Sequence, residues 1–133
     1  LTSFPVIDTS NGTTFERTWR QSGLTSFPSL DFSSATTFSA AWYNCSSLAT
    51  IPSGLFDSTG TLAANAFGSA FSLCALTAQS IENILTSLDT NGVSNISLGI
   101  DGGTNAAYSA WSTAAQTALT NLTNRGWTVY KNN

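Results

Sequence analysis

The pentapeptide Leu-Thr-Ser-Phe-Pro at positions 1–5 returns unchanged at 24–28, and as Leu-Ala-Thr-Ile-Pro at 48–52. Each copy is followed by an apolar residue and an aspartate: Ile7-Asp8, Leu30-Asp31 and Phe56-Asp57. Each then meets two aromatics four residues apart: Phe15/Trp19, Phe38/Trp42 and Phe67/Phe71. From Leu1 to Leu24, Leu48 and Leu76 the steps are 23, 24 and 28 residues. A period in this range is the mark of a solenoid, whose units bury their apolar faces only against their neighbours. The expectation is a single domain, 1–133, with repeats over 1–75 and a closing unit over 76–133.

Within a repeat, the opener reads as a short strand with its Leu and Phe inward, stopped by a proline that cannot donate to a ladder. Asp, Ser and Thr after it suit side-chain capping of a turn. The spacing then predicts short helical segments at 15–19, 38–42 and 63–71, with both aromatics on one face. After Leu76 the pattern changes. Apolar residues at 81, 84, 85 and 88 predict a helix, with Ser80 as its N-cap and Asn91-Gly92 closing it. Residues 96–100 alternate as a strand does, 106–125 are Ala-rich and helical with Gly126 just past the end, and 127–130 read as a last strand. This is a strand–helix–strand cap.

Charged residues make up 8% of the chain, with seven acids, four bases and a net charge of −3. About a quarter is usual. The surface must therefore be Ser, Thr, Asn and Gln. It suits sugars or neutral proteins, not nucleic acid, whose phosphates call for clustered Lys and Arg. No apolar run approaches a membrane span, so membrane insertion is not expected. There is no Met, and residue 1 falls on the first position of a repeat. The chain therefore reads as part of a larger polypeptide or particle, through which it could also self-associate. Cys45 and Cys74 occupy matching repeat positions and leave two readings open: one bridge between neighbouring units, or two buried thiols.

The segments 8–15 and 38–48, with Cys-Ser-Ser-Leu at 45–48, resemble the leucine-rich repeats of bacterial surface proteins of the mycoplasma lipoprotein type. Residues 70–76 resemble the same element. The first repeat departs from the pattern: it lacks the Cys and is one residue shorter. The tail, 85–92 through 102–107 to 125–129, is similar to segments that end repeat proteins encoded by marine bacteriophages. The resemblance implies an α/β leucine-rich-repeat solenoid of three irregular repeats plus the cap. It also implies a virion or tail-fibre context, at an extracellular or virion surface.

With no histidine there is no Ser-His-Asp or Cys-His arrangement, and two cysteines cannot complete a structural zinc site. The carboxylates Glu16, Glu82, Asp89 and Asp101 are scattered, so no paired acid/base site is expected. The chain is therefore read as a non-enzyme without cofactors. Asp8, Asp31 and Asp57 admit two readings: a calcium ladder, or three turn caps, which need no ion. Trp19 and Trp42 are expected in the core, with sugar stacking as the alternative. Arg17, Arg20 and Tyr43 point outward and are the candidate binding residues. Asn-x-Ser/Thr sequons at Asn11, Asn44, Asn95 and Asn121 matter only in a host that glycosylates them. The expected function is recognition of a host surface glycan or protein. The alternative is a structural or decorating part of a virion or filament with no ligand of its own.

Overall fold

The computed structural model describes residues 2–133. Leu1, the first residue of the repeated opener, lies outside the described residues. The regular elements all follow residue 77. They are helix α1 (Ala78–Asn91), strand β1 (Ser97–Ile100), a 3-10 turn (Tyr108–Ala110), helix α2 (Thr113–Asn124) and strand β2 (Thr128–Lys131). The strands pair in parallel, Ser97 opposite Thr128 through Ile100 opposite Lys131.

This overturns the expected fold. A leucine-rich-repeat solenoid of three repeats needs a strand in each unit. Among the described residues the sheet has two strands, is not closed, and does not extend into residues 2–75. There strand-like pairing is limited to the isolated parallel bridges Thr14–Thr37 and Ser26–Thr50, and to Phe67 with Leu98 of β1.

The physical reason lies in the backbone. Arg17, Gln21, Ala40, Asn44, Ser69 and Leu73 all have positive φ, between 51 and 62°. They recur every fourth residue within each segment, which breaks strand and helix alike. Overlapping turns form in place of the expected helices at 15–19, 38–42 and 63–71. The N–H groups of Thr18, Arg20 and Ser22 each donate to the carbonyl three residues back, at 3.2–3.3 Å. The alternate N–H groups of Phe15, Arg17, Trp19 and Gln21 donate to Thr37, Ser39, Ala41 and Tyr43 at 2.8–3.0 Å. One segment on, Phe38, Ala40, Trp42 and Asn44 donate to Ala66, Gly68, Ala70 and Ser72 in the same way. The backbone groups are thus satisfied without sheet or helix.

The sequence repeat survives as side-chain contacts. Trp19 stacks on Trp42 and Trp42 on Phe71, with ring centroids 5.2 and 4.6 Å apart. Beside them Phe15, Phe38 and Phe67 stack at 5.7 and 5.1 Å. Leu24, Leu48, Leu76, Phe27 and Ile51 are buried next to these rings, and Phe4 partly so.

The helices are placed by caps that differ in part from those expected. Thr77, not Ser80, caps α1, its side chain accepting from Ser80 N–H, and Gly92 ends the helix at φ 82°. Ser80 is buried inside the helix. The Ala-rich segment begins its α-helix only at Thr113, because Trp111 is extended (φ −72°, ψ 148°) and Ser112 takes the N-cap.

Candidate functional site

Two open grooves share one wall. The wider, of about 410 Å³, is lined by Tyr43, Gly68, Ser69, Ser72, Leu73, Gly99, Asp101 and Tyr130. The narrower, of about 300 Å³, is lined by Arg17, Arg20, Ala40, Tyr43 and Ser69. Tyr43 and Ser69 line both, so the tyrosine ring stands where they meet.

The turn-built backbone explains the placement. Arg17, Ala40 and Ser69 occupy the same turn position in three successive segments, all at positive φ. Arg20, Tyr43 and Ser72 form the column three residues on. The inward neighbours of these columns are the stacked rings Trp19, Trp42 and Phe71, so Arg17, Arg20 and Ser69 are left exposed and Ala40 and Tyr43 half-buried, while Ser72 is buried. β1 and β2 then supply the far side. Gly99 packs against the Ser69 backbone so closely that a Cβ there would lie 2.6 Å from Ser69 Cα. A side chain at 99 would push β1 away and open the groove.

The three residues singled out from sequence are brought together. The Arg20 guanidinium lies over the Tyr43 ring, 5.4 Å from its centroid. Arg17 lines the same groove. At the other end, the Asp101 carboxylate accepts from Ser72 Oγ at 2.7 Å through Oδ1. Its Oδ2 has no partner among the described residues. Tyr130 is 57% exposed.

Tyr130, Asp101, Ser69 and Ser72 were not singled out by sequence reasoning. The two serines could have been, since they stand 29 residues after Ala40 and Tyr43, the spacing that also separates Trp42 from Phe71. Nothing in the sequence joins Tyr130 to them, because the parallel pairing of β2 with β1 does so.

The aspartates take different roles. Asp8 accepts from Ser10 N–H at 3.0 Å and from Ser10 Oγ at 2.6 Å, and Asp31 from Ser33 N–H at 2.9 Å. The hydroxyl and then the backbone N–H of Ser10 at Asp8, and of Ser33 at Asp31, hold both carboxyls below the ordinary value. Asp57 instead accepts from Ser87 Oγ on α1, at 2.7 Å. Among the described residues no group of three or more acids and thiols is placed to share a metal ion. Trp42 is fully buried and Trp19 nearly so, which leaves neither face open to a sugar. Cys45 and Cys74 are free buried thiols that donate to the carbonyls of Trp19 and Trp42, at 2.9 and 3.1 Å. Burial pushes the Cys74 thiol up to about 12. Among the described residues no helix is long and apolar enough to cross a membrane. The loop after β1 is braced, with Asn132 bonding to Gly102 and to the Asn105 carbonyl.

No model of a known family, no curated protein and no solved structure matches the chain.

Proposed function

We propose that this chain is a non-enzymatic recognition module, the receptor-binding or adhesion part of a phage fibre or surface protein, contacting a host glycan or protein. One observation carries it: two adjoining grooves share an aromatic wall, with guanidinium, hydroxyl and carboxylate groups at their rims. Binding faces are commonly anchored by Tyr and Arg. Here those types gather beside Gly68, Ser69, Ser72 and Gly99. The phage setting comes from the resemblance of the tail segments. The non-enzymatic part is supported by the absence of histidine and the scatter of the carboxylates along the chain.

The test is decoration of bacterial cells from a panel of marine strains by fluorescently labelled protein. The parent chain should label at least one strain, and a variant carrying Arg17→Ala, Arg20→Ala and Tyr43→Ala should label it far less while melting at the same temperature. None of the three belongs to the buried core, so the fold should tolerate the change. Equal labelling by parent and variant would place contact elsewhere. No labelling of any strain would favour a structural part of a particle.

A further inference from the structure

We propose that the paired grooves take an anionic oligosaccharide, its sugar ring against Tyr43 and Tyr130 and its acidic group on Arg17 and Arg20. The proposal rests on the recognition reading and names the ligand class for that site. The wider groove falls within the roughly 300–1,000 Å³ usual for small-ligand sites. Two tyrosines line it, and the remaining lining residues are small or polar except for Leu73. Flat apolar faces beside hydroxyl and carboxylate groups match a pyranose, which has an apolar C–H face and a rim of hydroxyls. Asp101 is set to accept from such hydroxyls. Ser72 engages one of its oxygens, which fixes the carboxylate, and Oδ2 is left over.

Charge decides the other end. The chain has four basic residues. Arg125 is paired with Asp89 at 2.6 Å, and Lys131 donates to Asn133 and lies over Tyr108. Arg17 and Arg20 have no carboxylate partner among the described residues, although the chain carries more acids than bases. They line one groove, and Tyr43 holds the Arg20 guanidinium in place from below. A guanidinium fork fits a carboxylate or a sulfate ester with two parallel hydrogen bonds. The ligand therefore runs from Asp101, past Tyr43, to the arginines, with hydroxyls at the first end and the anionic group at the second. Spanning both grooves calls for at least two sugar units.

Affinity electrophoresis tests this with four probes cast in the gel: polygalacturonate, dextran sulfate, neutral dextran and single-stranded DNA. Polygalacturonate or dextran sulfate should retard the parent protein, and added salt should weaken the effect. The two polymers separate a carboxylate from a sulfate as the preferred group. Arg17→Ala with Arg20→Ala should weaken the retardation about tenfold or more. Lysine at both positions should restore only part of it, since charge returns without the fork. Tyr43→Phe should bind as the parent does, and Tyr43→Ala should not. Thermal melts establish that each variant is folded. Equal retardation by neutral dextran would overturn the proposal, as would equal retardation by DNA, no retardation by either anionic polysaccharide, or undiminished binding by the double alanine variant. If cells are still decorated under any of those outcomes, recognition stands and only the ligand class falls.

Discussion

Trp42 has no solvent exposure, and its indole Nε1, like that of Trp19, is buried without a hydrogen-bond partner. A buried indole N–H normally finds an acceptor. Here the carbonyls of both tryptophans accept from cysteine thiols, while the rings are fixed by stacking on their neighbours. Packing therefore outweighs an unmade hydrogen bond at each site. Trp42→Ala should lower stability by about 3–5 kcal/mol, as large aromatic truncations in cores do. Trp42→Phe should cost less than half as much, because it removes the orphaned donor with part of the ring. Denaturant titration of both variants checks this, and equal losses would mean that a phenyl ring recovers none of the stacking. At this scale the sequence was informative. The equivalent positions of Trp19, Trp42 and Phe71 pointed to the core, and the outward place of Arg17, Arg20 and Tyr43 followed. The backbone beneath them was not legible. Of the six residues at positive φ in the turn region only Asn44 is of a type that favours it, and Arg17, Gln21, Ala40, Ser69 and Leu73 carry no such signal.

Helix α1 docks through a polar seam as well as an apolar one. Ser80, Asn83, Ser87 and Asn91 lie along one side and bond the backbone of residues 49–56. Ser80 Oγ donates to Ala49 O and accepts from Ile51 N–H, and Asn83 Nδ2 donates to Ile51 O. Ser87 Oγ accepts from Phe56 N–H and donates to Asp57, and Asn91 Nδ2 donates to Phe56 O. A turn-built region leaves backbone groups that no sheet satisfies, and the helix side chains supply the partners. Asn105 does the same for the loop after β1, accepting from Leu76 N–H and donating to the carbonyls of Phe71 and Ile100. Asn105→Ala would leave these groups buried and unpaired, at a cost of about 3 kcal/mol. Ser87→Ala should cost about 1–3 kcal/mol, since it orphans Phe56 N–H. A change under about 0.5 kcal/mol in either, by denaturant titration, would mean that water replaces the lost partner. The apolar positions 81, 84, 85 and 88 made α1 legible from its period. The seam was not, because a serine among apolar residues reads equally as a cap, a place that Thr77 holds in the structure.

With no histidine, the whole molecule has few groups that titrate near neutrality, and its stability should be flat with pH there. Asp89 sets part of the acid limb. Burial raises its pKa, but bonds from Asn121 and Arg125 outweigh this and hold it below 3.8. A carboxylate depressed in the folded state stabilises fully above its unfolded value and loses that contribution as pH falls through the folded one. Asp8, Asp31 and Glu82 are shifted the same way by hydrogen bonds, so the melting temperature should fall below about pH 4. The alkaline limb has a different source. Burial raises the Cys74 thiol from 9.0 to about 12, so the unfolded chain loses this proton first. That contribution is complete below pH 9 and is lost as pH rises toward 12. Calorimetry under reducing conditions should therefore show a plateau from about pH 5 to 8.5, with a decline on either side. Cys74→Ala should lower the plateau, because it opens a small cavity beside Trp42, yet make the alkaline decline shallower. An unchanged alkaline slope in that variant would show that the thiol is not buried in solution as it is here. It would then bear on the stack of Trp42 on Phe71, which shapes the floor beneath Tyr43 and Ser72.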